Sequence, residues 1–132
     1  MSTIFSKIIA GEIPCYKVAE TEDFLAFLDV RPVVKGHVLC IPKNEVDYIF
    51  DLDNEEYAKL FLFSKIVATG LKKVIECKKI GISVVGLEVP HAHVHLIPMN
   101  TIDDMSFTKE RVELVEDEFK VLAKKIANAI SS

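Results

Sequence analysis

No stretch of the 132-residue chain approaches the roughly 20 uncharged apolar residues that a membrane-spanning helix needs. The opening MSTIFSKIIAGEIP also lacks a basic start, a continuous apolar region and a small-residue cleavage site, so it reads as folded chain and not as an export signal. Basic residues are in the minority: 16 Lys and Arg face 20 Asp and Glu, for a formal charge of −4. That balance argues against sequence-independent nucleic-acid binding, which needs a basic face. It still admits a small anionic ligand, because a local pocket of donors can outvote a modest net charge. Cysteine is scarce: Cys15, Cys40 and Cys77 are odd in number and show no CxxC spacing. Free thiols in a reducing cytosol follow, with Cys40, inside the apolar run HVLCI, a small buried hydrophobe. Repeats, low-complexity tracts and dividing linkers are missing too. What remains is half apolar and 27% charged, which excludes a disordered chain and suits one domain over residues 1–132.

Apolar periodicity orders the chain. Ile4, Phe5, Ile8 and Ile9 suit a short amphipathic helix with Ser2 or Thr3 as its cap, ended by Gly11 and Pro14. Residues 16–20 and 24–29 read as a hairpin, and 37–41 as a further strand. A long helix over 55–76, capped by Asn54, carries Tyr57, Leu60, Phe61, Ser64, Val67, Ala68 and Leu71 at helical spacing. Gly70 falls inside it, at a cost of about 1 kcal/mol against Ala. Strands over 80–85 and 91–97 follow, then a last helix over 109–130 with Val112, Val115, Phe119, Leu122, Ile126 and Ile130 as its buried stripe. Antiparallel hairpins with helices held to one face make an α+β domain.

Three of the four histidines are His91, His93 and His95. Spacing by two on a strand puts them on one face, with Ala92, Val94 and Leu96 directed into the core. Imidazole titrates near pH 6.5, so one ring can serve as nucleophile or base while a neighbour donates a proton. His37 opens another strand, either to join them or as an ordinary satisfied polar residue. Zinc is the chemical rival. Successive same-face positions lie about 6.5–7 Å apart, however, too far for three to share one ion easily.

His91-Ala92-His93-Val94-His95-Leu96-Ile97 resembles the His-x-His-x-His-x-x signature of the histidine triad (HIT) family, nucleoside phosphoramidase-like branch. Residues 4–14, 25–30 and 36–43 resemble the family's earlier blocks, in the same order. The resemblance implies a HIT-like fold: an antiparallel five-stranded sheet with helices, continuous as ten strands in a homodimer. It implies a hydrolase or transferase acting at the α-phosphate of a purine nucleotide or its conjugate, with no cofactor and no metal. By the match His93 is the nucleophile, His91 and His95 flank the phosphoryl group, and His37 supports the cluster. Ile4, Phe5, Ile8, Phe27 and Val30 match base-pocket residues, though Phe5, Ile8 and Phe27 also suit an ordinary core. Asp29 matches the carboxylate that receives the ribose hydroxyls, though it also suits a cap or turn. Residues 101–132 carry no family mark and read as a divergent C-terminal helical extension. Residues 84–90 depart from the family as a shortened loop without Asn, Gln or Ser, and Asn44-Glu45 stands where many relatives keep a nearby histidine. The shortened loop motivates an alternative, a nucleotide sensor or protein-interaction module with little turnover.

Overall fold

Thr3 caps the first helix, α1 (Ile4–Ile9), in the computed structural model, which describes residues 3–131. Its hydroxyl accepts the Ser6 N–H at 3.1 Å while Ser6 Oγ accepts the Thr3 N–H at 2.7 Å, a reciprocal capping box. Ser2, the other expected cap, lies outside the described residues. Strands β1 (Lys17–Glu20), β2 (Phe24–Leu28) and β3 (Val38–Pro42) follow, then helix α2 (Asn54–Val74) with Asp53 as its cap. Strands β4 (Lys79–Ser83) and β5 (Val94–Met99) precede the last helix, α3 (Glu116–Ser131). Every strand pairing is antiparallel, in the order β1-β2-β3-β5-β4, so β3 is central and β4 forms an edge.

The register separates two rows of side chains. Ala26, Cys40 and Val94 pair across the sheet, and so do Phe27, Leu39, His95 and Ser83. Adjacent residues on a strand face opposite ways. The first row therefore joins Ala92 and Leu96 in the larger core, with Leu60, Val67 and Leu71 of α2 and Phe119, Leu122 and Ile126 of α3. The second faces a smaller core of Phe5, Leu25, Phe27, Leu39 and Ile41. Helices are thus not held to one face: α1 covers the second, because that apolar row also needs a partner. Cys40, fully buried, has its thiol pushed up to about 12 by desolvation, and all three cysteines are unpaired. No helix among the described residues is long and apolar enough to cross a membrane.

Several boundaries differ from the periodic reading: α2 ends at Val74 and takes Asp53 in place of Asn54 as its cap, and three further differences bear on the site. Strand β5 starts at Val94, so His91–His93 lead into it from a bend at His91, held where the Ala92 N–H meets the Val46 carbonyl at 2.6 Å. Strand β4 ends at Ser83, leaving Val84 and Val85 exposed in the following loop. Helix α3 begins at Glu116 and not near 109, because the preceding residues bond elsewhere. The Val112 N–H reaches the Pro32 carbonyl at 2.9 Å and Arg111 Nη1 reaches the Arg31 carbonyl at 2.7 Å. Val112 and Val115 are consequently exposed. The helix then opens on Glu116, Asp117 and Glu118, with the Glu118 carboxylate accepting the Val115 N–H at 3.2 Å. Gly70 marks where α3 crosses α2: a Cβ there would stand 3.0 Å from both the backbone nitrogen and the Cα of Ile130.

Candidate active site

His95 lies on β5 opposite Leu39 and Ser83, on the face that α1 covers. His93 and His91 share that face: the Phe5 ring meets His93 at 5.0 Å and His91 at 5.9 Å, edge to face, and the His93 and His95 rings are 4.8 Å apart. The one-in, one-out alternation read from the sequence thus extends through the approach to β5. His37 enters from the turn before β3, its ring 5.2 Å from that of His95. Gly36 makes this turn with φ +93°, where a Cβ would also come within 2.9 Å of Ile75 Cγ1. All four imidazoles are buried.

Fixed backbone groups assign the proton on each neutral ring. The Val33 N–H can only donate, and it lies 3.1 Å from His37 Nδ1. The His37 proton is therefore on Nε2, which sits 2.9 Å from His95 Nδ1. His95 receives that hydrogen bond at Nδ1 and carries its own proton on Nε2. The Pro42 carbonyl can only accept, 2.7 Å from His91 Nε2, and so leaves His91 Nδ1 bare and buried without a partner. The His91 carbonyl accepts from His93 Nδ1 at 2.6 Å, so the His93 lone pair is on Nε2. Burial favours neutral rings. Desolvation, then the Arg111 charge and His93, pull His37 down to about 3. Desolvation, His93 and His37 pull His95 down to about 3 as well. Burial also lowers His93, opposed by its hydrogen bond to the His91 backbone.

Asp29 follows β2 and places Oδ2 3.7 Å from His37 Nε2, while Oδ1 accepts the Arg31 N–H at 2.8 Å. Asp29, His37 and His95 offer ligand atoms within 4.8 Å of one another, a separation that a cation could bridge. The donor set opposes it: His37 Nδ1 is committed to the Val33 N–H, so ligation through Nε2 would require an imidazolate.

Among the expected base-pocket residues, Phe5 and Phe27 meet edge to face at 5.6 Å and are buried, with Ile8 half-buried beside them. Ile4 and Val30 stand at the surface, 51% and 61% exposed. A cleft of about 520 Å³ opens beside Thr3 and Ile4, bounded by Glu45, Asp47, Glu88, Val89 and Pro90. Two residues near the histidines escaped the sequence reading. The Phe107 ring lies edge-on to His95 at 4.7 Å and to His37 at 6.2 Å, and Arg111 stands over Phe107. A lone aromatic in the charged stretch 103–111 is the signal that could have drawn notice to the first.

A five-stranded antiparallel sheet whose inner strand β5 carries the last histidine of His-x-His-x-His, with the first two leading into it, points to the histidine triad class. The chain belongs to that family: the HIT domain model matches residues 10–102. It is 35% identical over 133 residues to the adenosine 5'-monophosphoramidase hnt1 of Schizosaccharomyces pombe, covering 98% of this chain and 99% of the relative. Among solved structures it resembles a HIT-like protein involved in cell-cycle regulation from Bartonella henselae, with TM-score 0.84, 29% identity, and 97% and 96% of the two chains covered. It also resembles a Zn-bound histidine triad family protein from Mycobacterium smegmatis, with TM-score 0.84, 26% identity, and 99% and 94% covered.

Proposed function

We propose that the protein hydrolyses a purine nucleoside 5'-phosphoryl compound, of the phosphoramidate or adenylyl type, through a nucleotidyl-histidine intermediate. The observation that carries this reading is the 2.6 Å contact between His93 Nδ1 and the His91 carbonyl, which leaves Nε2 as a neutral nucleophile. His93 Nε2 attacks the α-phosphorus, the N–P bond forms as the bond to the leaving group breaks, and from a phosphoramidate the departing amine takes a proton from solvent. Water then opens the intermediate to the nucleoside monophosphate and restores His93. The His95 Nε2–H donates to a phosphoryl oxygen as charge builds, and His37 keeps that proton in place through its bond to His95 Nδ1. His91 supports His93 through its backbone carbonyl. Phe5, Phe27 and Ile8 give the base an apolar floor, Ile4 and Val30 its rim, and Asp29 accepts the ribose hydroxyls. The tautomer at His37 argues against ligation of a metal ion through its Nε2, and the reaction is read as needing no cofactor.

The test is to mix wild type and H93A with adenosine 5'-phosphoramidate, quench in acid and weigh the intact protein. A transient adduct of one nucleoside monophosphate on wild type alone is expected; substantial turnover by H93A would end the assignment. A second reading, nucleotide sensing with little turnover, draws on residues 84–87, Val-Val-Gly-Leu, which bring no polar side chain to a phosphate. Calorimetric binding of adenosine and guanosine monophosphates without turnover would favour it.

We further infer one domain over residues 1–132, packed through α3, and a cytosolic location that suits three unpaired thiols. The unit in solution is a homodimer. Edge strand β4 exposes Ile82, α2 exposes Leu62 and Ile66, and a cleft of about 400 Å³ lies between Tyr48, Phe50, Tyr57 and the 84–87 loop. Two-fold pairing of β4 with its copy would cover these groups and continue the sheet to ten strands.

A further inference from the structure

The strap between β5 and α3 lies largely beyond the family match at 10–102, yet it touches the histidine relay directly. We propose that Phe107 and Arg111 form a clasp that holds His95, His37 and the Asp29 loop in one register, making them positioning residues for nucleotidyl transfer. The inference rests on the transfer reading above and adds to it a part of the site supplied by the C-terminal segment.

Phe107 sets its ring at 66° to His95 and 70° to His37, so it limits rotation of both partners in the 2.9 Å relay bond. Arg111 fixes Phe107 in turn. Its Nη1 donates to the Arg31 carbonyl at 2.7 Å and its Nη2 to the Phe107 carbonyl at 3.3 Å, with Cζ 5.9 Å from the Phe107 ring centroid. The Val112 N–H adds a bond to the Pro32 carbonyl at 2.9 Å. The loop thus held performs two tasks within five residues: Asp29 keeps its carboxylate turned by the Arg31 N–H, and the Val33 N–H sets the His37 proton. A planar guanidinium can span two carbonyls in a fixed fork, which a lysine ammonium cannot reproduce. The Arg111 charge also acts on both relay histidines in the direction that keeps them unprotonated.

The experiment compares wild type with R111Q, R111K, F107L and F107Y. It follows turnover of adenosine 5'-phosphoramidate, imidazole ¹⁵N shifts of His95 and His37, and the urea midpoint. R111Q and F107L are expected to lower kcat at least about tenfold with KM held within about threefold, and to move His95 from a single Nε2–H tautomer to a mixture. F107Y keeps the ring and stays within about threefold of wild type, while R111K fails to rescue. The proposal is overturned if kcat stays within about twofold in R111Q and F107L, or if turnover falls while the His95 nitrogens are unchanged. Unfolding of both variants would also overturn it, since the clasp would then be structural only. If wild type turns over no substrate, the transfer reading fails, and the nitrogen shifts still decide whether the clasp sets the relay.

Discussion

His37 is the residue on which the proton order of the relay depends, because it alone receives a backbone N–H and passes a proton on to another ring. Replacing it with Phe keeps an apolar ring but strands the Val33 N–H and His95 Nδ1. Each orphaned group costs about 1–3 kcal/mol. The variant should unfold at lower urea and turn over at least about tenfold more slowly. The same residue predicts an acid response. His37 and His95 fall from 6.5 to about 3 on folding, so below pH 6.5 the unfolded chain binds protons that the folded chain refuses. Their stabilisation is full above that value. It declines as pH falls from about 6.5 toward 3, by up to about 1.4 kcal/mol per unit for each ring. Urea midpoints measured stepwise from about pH 7.5 to about 4.5 should show this slope, and H37F should show a shallower one. At this scale the sequence is legible where the signal is local: two-residue spacing is enough to put His91, His93 and His95 on one face. It is silent where the partner is backbone. Nothing in the residue order tells that Val33, Pro42 and His91 will contribute the main-chain groups that fix each proton.

Helices α2 and α3 show a parallel division. The stripe of α2 repeats at three and four residues, and the structure buries Leu60, Ser64, Val67 and Leu71 as that period requires. Periodicity extends the last helix over 109–115, because Val112 and Val115 continue the helical period, while the contacts that hold this segment elsewhere reach back to Arg31, 80 residues away. Gly70 is the element-scale residue whose role only the crossing explains. Ala at this position would improve helix propensity by about 1 kcal/mol. Its Cβ would also meet the Ile130 side chain and stand 3.0 Å from Ile130 backbone atoms. Overpacking of that kind costs about 1–3 kcal/mol and should win, since backbone cannot rotate away. G70A should therefore lower the urea midpoint and make α3 the first segment to lose hydrogen-exchange protection.

At the scale of the whole molecule, the proposed dimer rests on the edge of the sheet. Ile82 is 51% exposed on β4, beside the unpaired hydrogen-bonding groups of an edge strand. Lysine at 82 should convert a sedimenting dimer to monomer at micromolar concentration with little loss of monomer stability, because the side chain simply extends into water. A wild-type chain that sediments only as a monomer would remove the two-fold assembly.

The neutral relay also determines how the protein should respond to its ionic surroundings. A phosphate site built from lysine and arginine attracts its ligand across several ångströms of solvent, and added salt weakens that attraction. In the proposed site the group that would meet the phosphate is the His95 imidazole, which burial keeps uncharged, in a chain of net charge −4. On the proposed reading, the net charge gives a nucleotide no long-range attraction, and short-range hydrogen bonds would hold it. Raising sodium chloride from about 20 to about 200 mM should leave the affinity for adenosine monophosphate unchanged or tighten it slightly, with association becoming faster. Calorimetry together with stopped-flow binding across that range would detect either sign, and a steep loss of affinity would mean that a cationic side chain shares the phosphate.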